Sequence, residues 1–429
     1  MKAFIGLALL ILFTTGAQAY DYVPAPKQAQ PILLRGGTLY TVVDGIRVNT
    51  DLLFDNGIIA QIAENITPPR DAVVIDVTGK SVYPGLIALG TIIGLIEIGS
   101  VRGTNDIGET GRINPDVQSH MAYNPDSEII PTVRSNGIAY AQIVPGGSFI
   151  NGRSCLLNLD AWTKDDAAVE YEVGLHVVWP QVSVVTAWWE RRSAEEQRED
   201  IARDLQDFRR AFDDALAYKL AKEADPNTPV DSRWEAMVPV LSGKLPLFVY
   251  ADDYRQIEQA VAFTKERNLR MILMGGDDAA KAVDLLKANN IPVVYFATLG
   301  LPSYQEDPYD RAFTVPRLLH EAGVKLCLAV GGASGVRNLP FDAGHAVGFG
   351  LPADAALRAI TLTPAEVLGV ADRIGSLEVG KRATIVVSDG DIMDYLTHNV
   401  THLFIDGRAV DLDNKHKELY RKYRAKHLE

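Results

Sequence analysis

The chain is short of cysteine, with only Cys155 and Cys327 in 429 residues. Two thiols exclude a disulfide framework as the source of its stability. Both lie in apolar runs, "RSCLLNL" and "VKLCLAV", that read as buried strands, although a pair between them in an oxidising compartment stays open. Positive charge is also scarce: 42 Lys and Arg face 55 Asp and Glu, for a formal charge of −13. That balance argues against nucleic acid and against anionic membrane surfaces as partners. No repeat, low-complexity tract or extended linker interrupts the chain. What is present is enough for a full core, since 47% of residues are hydrophobic and the mean hydropathy is +0.01. The length suits one large domain of roughly 250 to 300 residues with a smaller one.

The first nineteen residues, "MKAFIGLALLILFTTGAQA", carry one lysine, an apolar run and a small-residue close. This pattern predicts a secretory signal cleaved before Tyr20, with an apolar run too short to span a bilayer. The expected location is therefore the periplasm, with no membrane span after cleavage. The stretch that follows, "YDYVPAPKQAQP", is expected to be a mobile leader.

From Pro31 to Val82 the chain is short and alternating, punctuated by Gly36-Gly37, Asp44-Gly45 and Asn56-Gly57. These are turn signals between small antiparallel strands. The texture returns in "KRATIVVSDG" and "VTHLFIDGRAV", so both chain ends are expected to build one small sheet domain. The middle alternates strand-like runs (85–93, 139–144, 247–250, 270–274, 292–297 and 325–330) with helix-like segments such as "YRQIEQAVAFTKERN". Repeated units of this kind predict a parallel sheet closed into a barrel, with an open doubly wound sheet as the other solution. The run "WERRSAEEQREDIARDLQDFRRAFDDALAYKLAKEA" reads as a solvated helix.

Three stretches together resemble the amidohydrolase superfamily, in particular its imidazolonepropionase-like branch. They are "GKSVYPGLIALG", "GVKLCLAVGGASGVRNLPFDAGHAVGFGLPADAALRAITLTPAEVLGV" and "DRIGSLEVGKRATIVVSDGDIMD". The resemblance implies an α/β fold: a (β/α)8 TIM-like barrel over residues 84–370, with a small β-sandwich domain from 20–83 and 371–424. It also implies hydrolysis of non-peptide C–N bonds, commonly cyclic amides, with zinc as the usual metal. A divalent metal serves such chemistry by lowering the pKa of a bound water to about 7 and polarising the carbonyl.

The metal ligands that the resemblance implies are absent. Where the family has His-x-His on its first barrel strand, this chain has Gly90 and Ile92. Tyr250 and Met274 or Gly275 stand where the fifth and sixth strands should give histidines, and Gly331 or Gly332 replaces the aspartate of the eighth. None of the eight histidines falls at a predicted strand end, and each reads as a surface or satisfied core residue. No cofactor is expected.

Candidate ligand-binding residues gather elsewhere. The long segment after the first barrel strand offers Glu97, Arg102, Asn105, Asp106 and Glu109. Arg153 and Ser154 follow the second strand, and Tyr250, Asp277, Ser334 and Arg337 complete the predicted rim. Asp252-Asp253 and Asp277-Asp278 admit an oxygen-only cation site or an acid–base pair, against the plainer reading that they cap helices. Ser154 and Cys155 are weaker nucleophile candidates, because no histidine is expected beside them. Three functions stand: a degenerate member that binds a small-molecule ligand, a C–N hydrolase with a metal-free or oxygen-ligand site, and a structural interaction subunit. Polar convergence in the barrel mouth favours the first two and an apolar plug the third. A homo-oligomer is compatible with all of them.

Overall fold

Turn chemistry sets the first sheet. In the computed structural model, which describes residues 22–302 and 304–428, Asn56 (φ 49°) and Gly57 (φ 77°) both take left-handed conformations. That is the geometry a two-residue hairpin demands, and it joins β2 (Ile46–Asp55) to β3 (Ile58–Ala63). β1 (Ile32–Tyr40) pairs antiparallel with β2 and parallel with β4 (Val73–Asp76) and β5 (Ser81–Pro84).

After β5 the chain enters a second sheet. Its strands are β6 (Leu86–Thr91), β7 (Ile138–Ile143), β8 (Ile150–Asn158), β9 (Ala168–Val178), β10 (Leu247–Ala251), β11 (Met271–Gly275), β12 (Val293–Tyr295) and β13 (Leu326–Leu328), neighbours in that order. The eight curl into a nearly closed barrel. Closure comes from the backbone N–H of Ile92, just past β6, which donates to the carbonyl of Gly332, beyond β13, at 3.0 Å. The chain then returns to the first sheet through β14 (Ile385–Ser388), β15 (Val400–Ile405) and β16 (Arg408–Ala409), with β14 lying against β5.

The barrel departs from the expected parallel array at β8, which runs antiparallel to both β7 and β9. The links on either side of β8 are short, and only the single turn Lys164–Ala167 lies between β8 and β9. Parallel neighbours need a crossover of a dozen or more residues, so short links force reversal. Helices return once the links lengthen: Ala194–Ala224 and Ser232–Leu241 before β10, Tyr254–Glu266 before β11 and Arg311–Glu321 before β13. The 31-residue helix starts at a capping box, Ser193 with Glu196. It is not solvated all round, since Phe208, Ala211, Phe212 and Ala215 are buried along one face.

The expected secretory signal at residues 1–19 lies outside the described residues. The stretch after it, expected to be mobile, is tied down from Tyr22 onward. The Tyr22 hydroxyl donates to Asp160, Arg134 lies 4.1 Å from its ring centre, and the backbone N–H of Ala25 reaches the same carboxylate at 3.2 Å. Asp160 also binds Arg134 at 2.9 Å and Arg408 at 2.7 Å, with Arg134 and Asp160 fully buried. A buried carboxylate needs these partners, and the leader supplies some of them. Cys155 and Cys327 are buried and form no disulfide with each other.

Candidate active site

The barrel interior holds a polar layer below an apolar one. Side chains alternate across a strand, so Ser154 on β8 faces inward while Arg153 faces out. Gln142 on β7 accepts from the backbone N–H of Gly90 (3.1 Å) and donates through Nε2 to Ser154 Oγ (3.0 Å). Ser154 Oγ lies 2.7 Å from His176 Nε2. The register of β8 and β9 makes this contact by setting Gly152 opposite His176 and Ser154 opposite Gly174. The imidazole stacks on Phe248 with ring centres 4.6 Å apart and planes nearly parallel, and its Nδ1 has no partner among the described residues.

A histidine does therefore stand beside Ser154, contrary to the sequence-based expectation, and His176 is a core residue only half satisfied. The pair is nonetheless a poor nucleophilic centre. Ser154 and His176 are fully buried, and burial pushes the imidazole down to about pKa 3, so it stays neutral at physiological pH. Cys155 is no better, since burial pushes its thiol up to about 12.

Above this layer, the half-buried ring of Phe296 packs over Gly90. Gly90 has φ 66°, and a Cβ built there would meet Phe296 Cζ at 2.4 Å and Met274 Cε at 3.1 Å. A Cβ on Gly331 would meet the same ring at 3.6 Å. The ring thus lies against two of the positions that the sequence resemblance assigned to metal ligands, which stand on or just beyond the two strands that meet at the closing seam of the barrel. Tyr250, the one such position with a donor atom, is pushed above the ordinary tyrosine range by loss of water contact. Among the described residues, no group of three or more His, Cys, Asp or Glu side chains could hold a metal ion. Glycine, isoleucine, methionine and a protonated phenol do not make a divalent-metal site.

Polar groups converge instead at the rim, where a cavity of about 280 Å³ is lined by Gln181–Val185, Asp252, Asp253, Gln256, Asp277, Asp278 and Tyr304. The helix-cap reading of these aspartates holds for Asp253, which caps Tyr254–Glu266 in a capping box with Gln256. It fails for Asp277-Asp278, because the next helix, Val283–Ala288, begins at Ala282 without a side-chain cap. Asp278 is buried among cations instead, bound by Arg311 and by Lys281 at 3.0 Å. The carboxyl of Asp252 is held above its usual range, first by lost water contact and then by repulsion from Asp277.

The other predicted residues do not join this cavity. The segment carrying Glu97, Arg102, Asn105, Asp106 and Glu109 is stitched along the barrel by its own backbone, with Gly146 N donating to Ile107 O at 2.7 Å and Asn114 N to Ile150 O at 2.8 Å. Arg102 is spent on the carbonyl of Asn105 at 2.7 Å. Arg153 binds Glu172 and the carbonyl of Asp116. Ser334 and Arg337 share a short 3-10 helix in which the guanidinium donates to the Ser334 carbonyl at 2.5 Å. Of the predicted set, Asp277 lines the rim cavity, and Ser154 and Tyr250 face the axis. Sequence reasoning missed Phe296, His176, Gln142 and Tyr304 as site residues; the strand-like run 292–297, which contains Phe296, was the sole signal available.

Comparison with known proteins places this architecture. The profile described as the amidohydrolase family matches residues 163–410. Amidohydrolase tasK of Hapsidospora irregularis is 23% identical over 402 residues, 84% of this chain. The chain spans only 39% of that relative's length. Among solved structures, an amidohydrolase from Thermotoga maritima MSB8 is 26% identical, with a TM-score of 0.77 over 89% of this chain and 99% of its own. Molinate hydrolase, at 16% identity and TM-score 0.54 over 91% of this chain and 96% of its own, shares the fold alone.

Proposed function

Since the chain belongs to the amidohydrolase family, we propose that it is a degenerate, ligand-binding member whose barrel axis is not equipped for metal-assisted hydrolysis. The observation that carries this reading is the Phe296 ring, packed against Gly90 and Gly331 where metal ligands are implied. A metal at that point would need donors that these residues lack and space that the ring fills. The axis is thus plugged, yet the rim beside it is open and polar. On this reading the rim cavity takes a small molecule bearing a cationic nitrogen, held by Asp252 and Asp277 with Tyr304 and Gln181 at the wall. The imidazolonepropionase-like branch, the two-domain division and a periplasmic location belong to the same proposal.

One observation favours a second reading, a C–N hydrolase that works without the usual metal. Asp252, with its raised pKa beside Asp277, has the character of a proton carrier.

The test is metal content by plasma emission spectrometry on protein purified without chelator from zinc-supplemented cells, followed by a calorimetric screen of amines and cyclic amides. The expected result is well-folded protein with metal far below stoichiometry and amine binding abolished by Asp252→Asn. Near-stoichiometric zinc or manganese would overturn the first reading. Turnover of a cyclic amide by metal-free protein, lost in Asp252→Asn, would establish the second.

A further inference from the structure

The helix Lys415–Leu428 has no buried residue. Its start is anchored, where buried Asn414 donates through Nδ2 to Ser135 Oγ (3.1 Å) and accepts the backbone N–H of Lys417 (3.0 Å). In its second turn Leu419 is half-buried and Arg421 reaches back to Asp413 at 2.9 Å, and the residues from Tyr420 onward are exposed. A 14-residue helix unsupported by packing is marginal in water, so a helix with one face patterned for contact gains by being covered.

The face is patterned. His416, Leu419, Tyr420, Tyr423, Arg424 and His427 line one groove along the helix, at the i, i+3, i+4, i+7, i+8 and i+11 spacing of a single face. Tyr420 is 64% exposed and Tyr423 55%. Aromatic and arginine side chains in this mixture are typical of protein interfaces.

Charge narrows what covers it. The helix has six Lys and Arg against one Glu, a net +5, in a chain of −13, so the remaining residues sum to −18. The basic helix and the acidic body are complementary. The body would meet an anionic lipid surface or a nucleic acid with repulsion, whereas a second copy offers each helix an acidic surface and receives one in return. We propose that this helix docks on the acidic body of a second copy of the chain, each copy lending its helix to the other. The helix is about 21 Å long, and one face of it is small against the roughly 1,600 Å² of a standard interface. The pair is therefore reciprocal and weak, with a micromolar dissociation constant, and it dissolves in salt.

Sedimentation velocity on the full chain at about 50 mM and about 500 mM NaCl tests this, because screening lengths shorten from roughly 14 Å to roughly 4 Å between them. The expected result is a dimer at low salt whose dissociation constant rises at least tenfold at high salt. Truncation after Asn414 should give a folded monomer, since nothing buried is removed. Arg424→Glu with Lys426→Glu should weaken the dimer at least tenfold while leaving the helix in place, and Tyr420→Ser with Tyr423→Ser should do the same without altering charge. A full chain that is monomeric at low salt overturns the proposal, as does a dimer indifferent to truncation. Helix-dependent flotation with phosphatidylglycerol vesicles by a chain monomeric in solution would assign the helix to lipid instead.

Discussion

Replacing Gly90 by alanine tests the account of the barrel axis most directly. Two separate costs arise. The backbone sits at φ 66°, where an L side chain costs about 1 kcal/mol. The new methyl would also lie 2.4 Å from Phe296 Cζ and 2.9 Å from Cε1, and overpacking of this kind costs about 2 kcal/mol. Gly90→Ala should therefore destabilise by about 3 kcal/mol. Phe296→Ala alone removes a half-buried ring and should cost about 2 kcal/mol, below the range for fully buried phenylalanines. In the double variant the methyl meets no ring, so only the backbone term adds and the total is about 3 kcal/mol rather than about 5. The coupling of about 2 kcal/mol is the quantity to measure, by urea unfolding followed by far-UV circular dichroism, with the slope m checked for constancy. Additivity within about 0.5 kcal/mol would show that Phe296 does not occupy the space above Gly90, and the argument for a plugged axis would fall with it.

Two further outcomes follow from buried charge. Asp342, only 5% exposed, has its carboxyl pushed up to about 6 by burial. The raised folded-state value makes its contribution to stability fully present below about pH 3.8 and lost as pH rises through about 6. Asp342→Asn should accordingly be more stable than the parent at pH 7.5 by up to about 3 kcal/mol and indistinguishable at pH 4, read by thermal melts; equal gains at both pH values would refute the assignment. Asp160→Asn should destabilise by about 3 to 5 kcal/mol, because it leaves buried Arg134 without its counter-charge, and should also release Tyr22 to proteolysis; a loss under 1 kcal/mol would mean that the cluster is not a support.

How much of this was readable in advance depended on distance along the chain. The Asn56-Gly57 hairpin and the Asp253 cap are local, and their residue types alone predict them. Strand β8 was legible as an apolar run, but its direction was not, because direction depends on link length and "LDAWTKDDAAVE" reads equally as loop or helix start. Pairing of Ser154 with His176 requires the β8–β9 register, which bulges shift at three points and which no short-range pattern encodes. Phe296 reads in sequence as one more core aromatic, and only barrel closure brings it to Gly90. The leader failed for the same reason: Tyr22 looks like part of a Pro-rich arm until Asp160 and Arg134, distant in sequence, converge on it. The candidate ligand residues stand out by polarity, yet Arg102, Asn105 and Arg337 are consumed by neighbours in their own segments.

The antiparallel pairing of β14 with β5 carries a consequence for the order of assembly. Lys80 and Asp389, which meet at 2.5 Å beside that seam, are 309 residues apart in the chain. Strands β1 to β5 emerge first and can form their hairpins early, but β5 lacks its neighbour until nearly the whole barrel has been made. Joining such remote segments is entropically costly and slow. Until then the open edge of β5 presents unpaired backbone to any passing strand. The nascent chain is accordingly most exposed to misassembly after its barrel exists and before its last strands arrive, and chaperone dependence should concentrate in that interval.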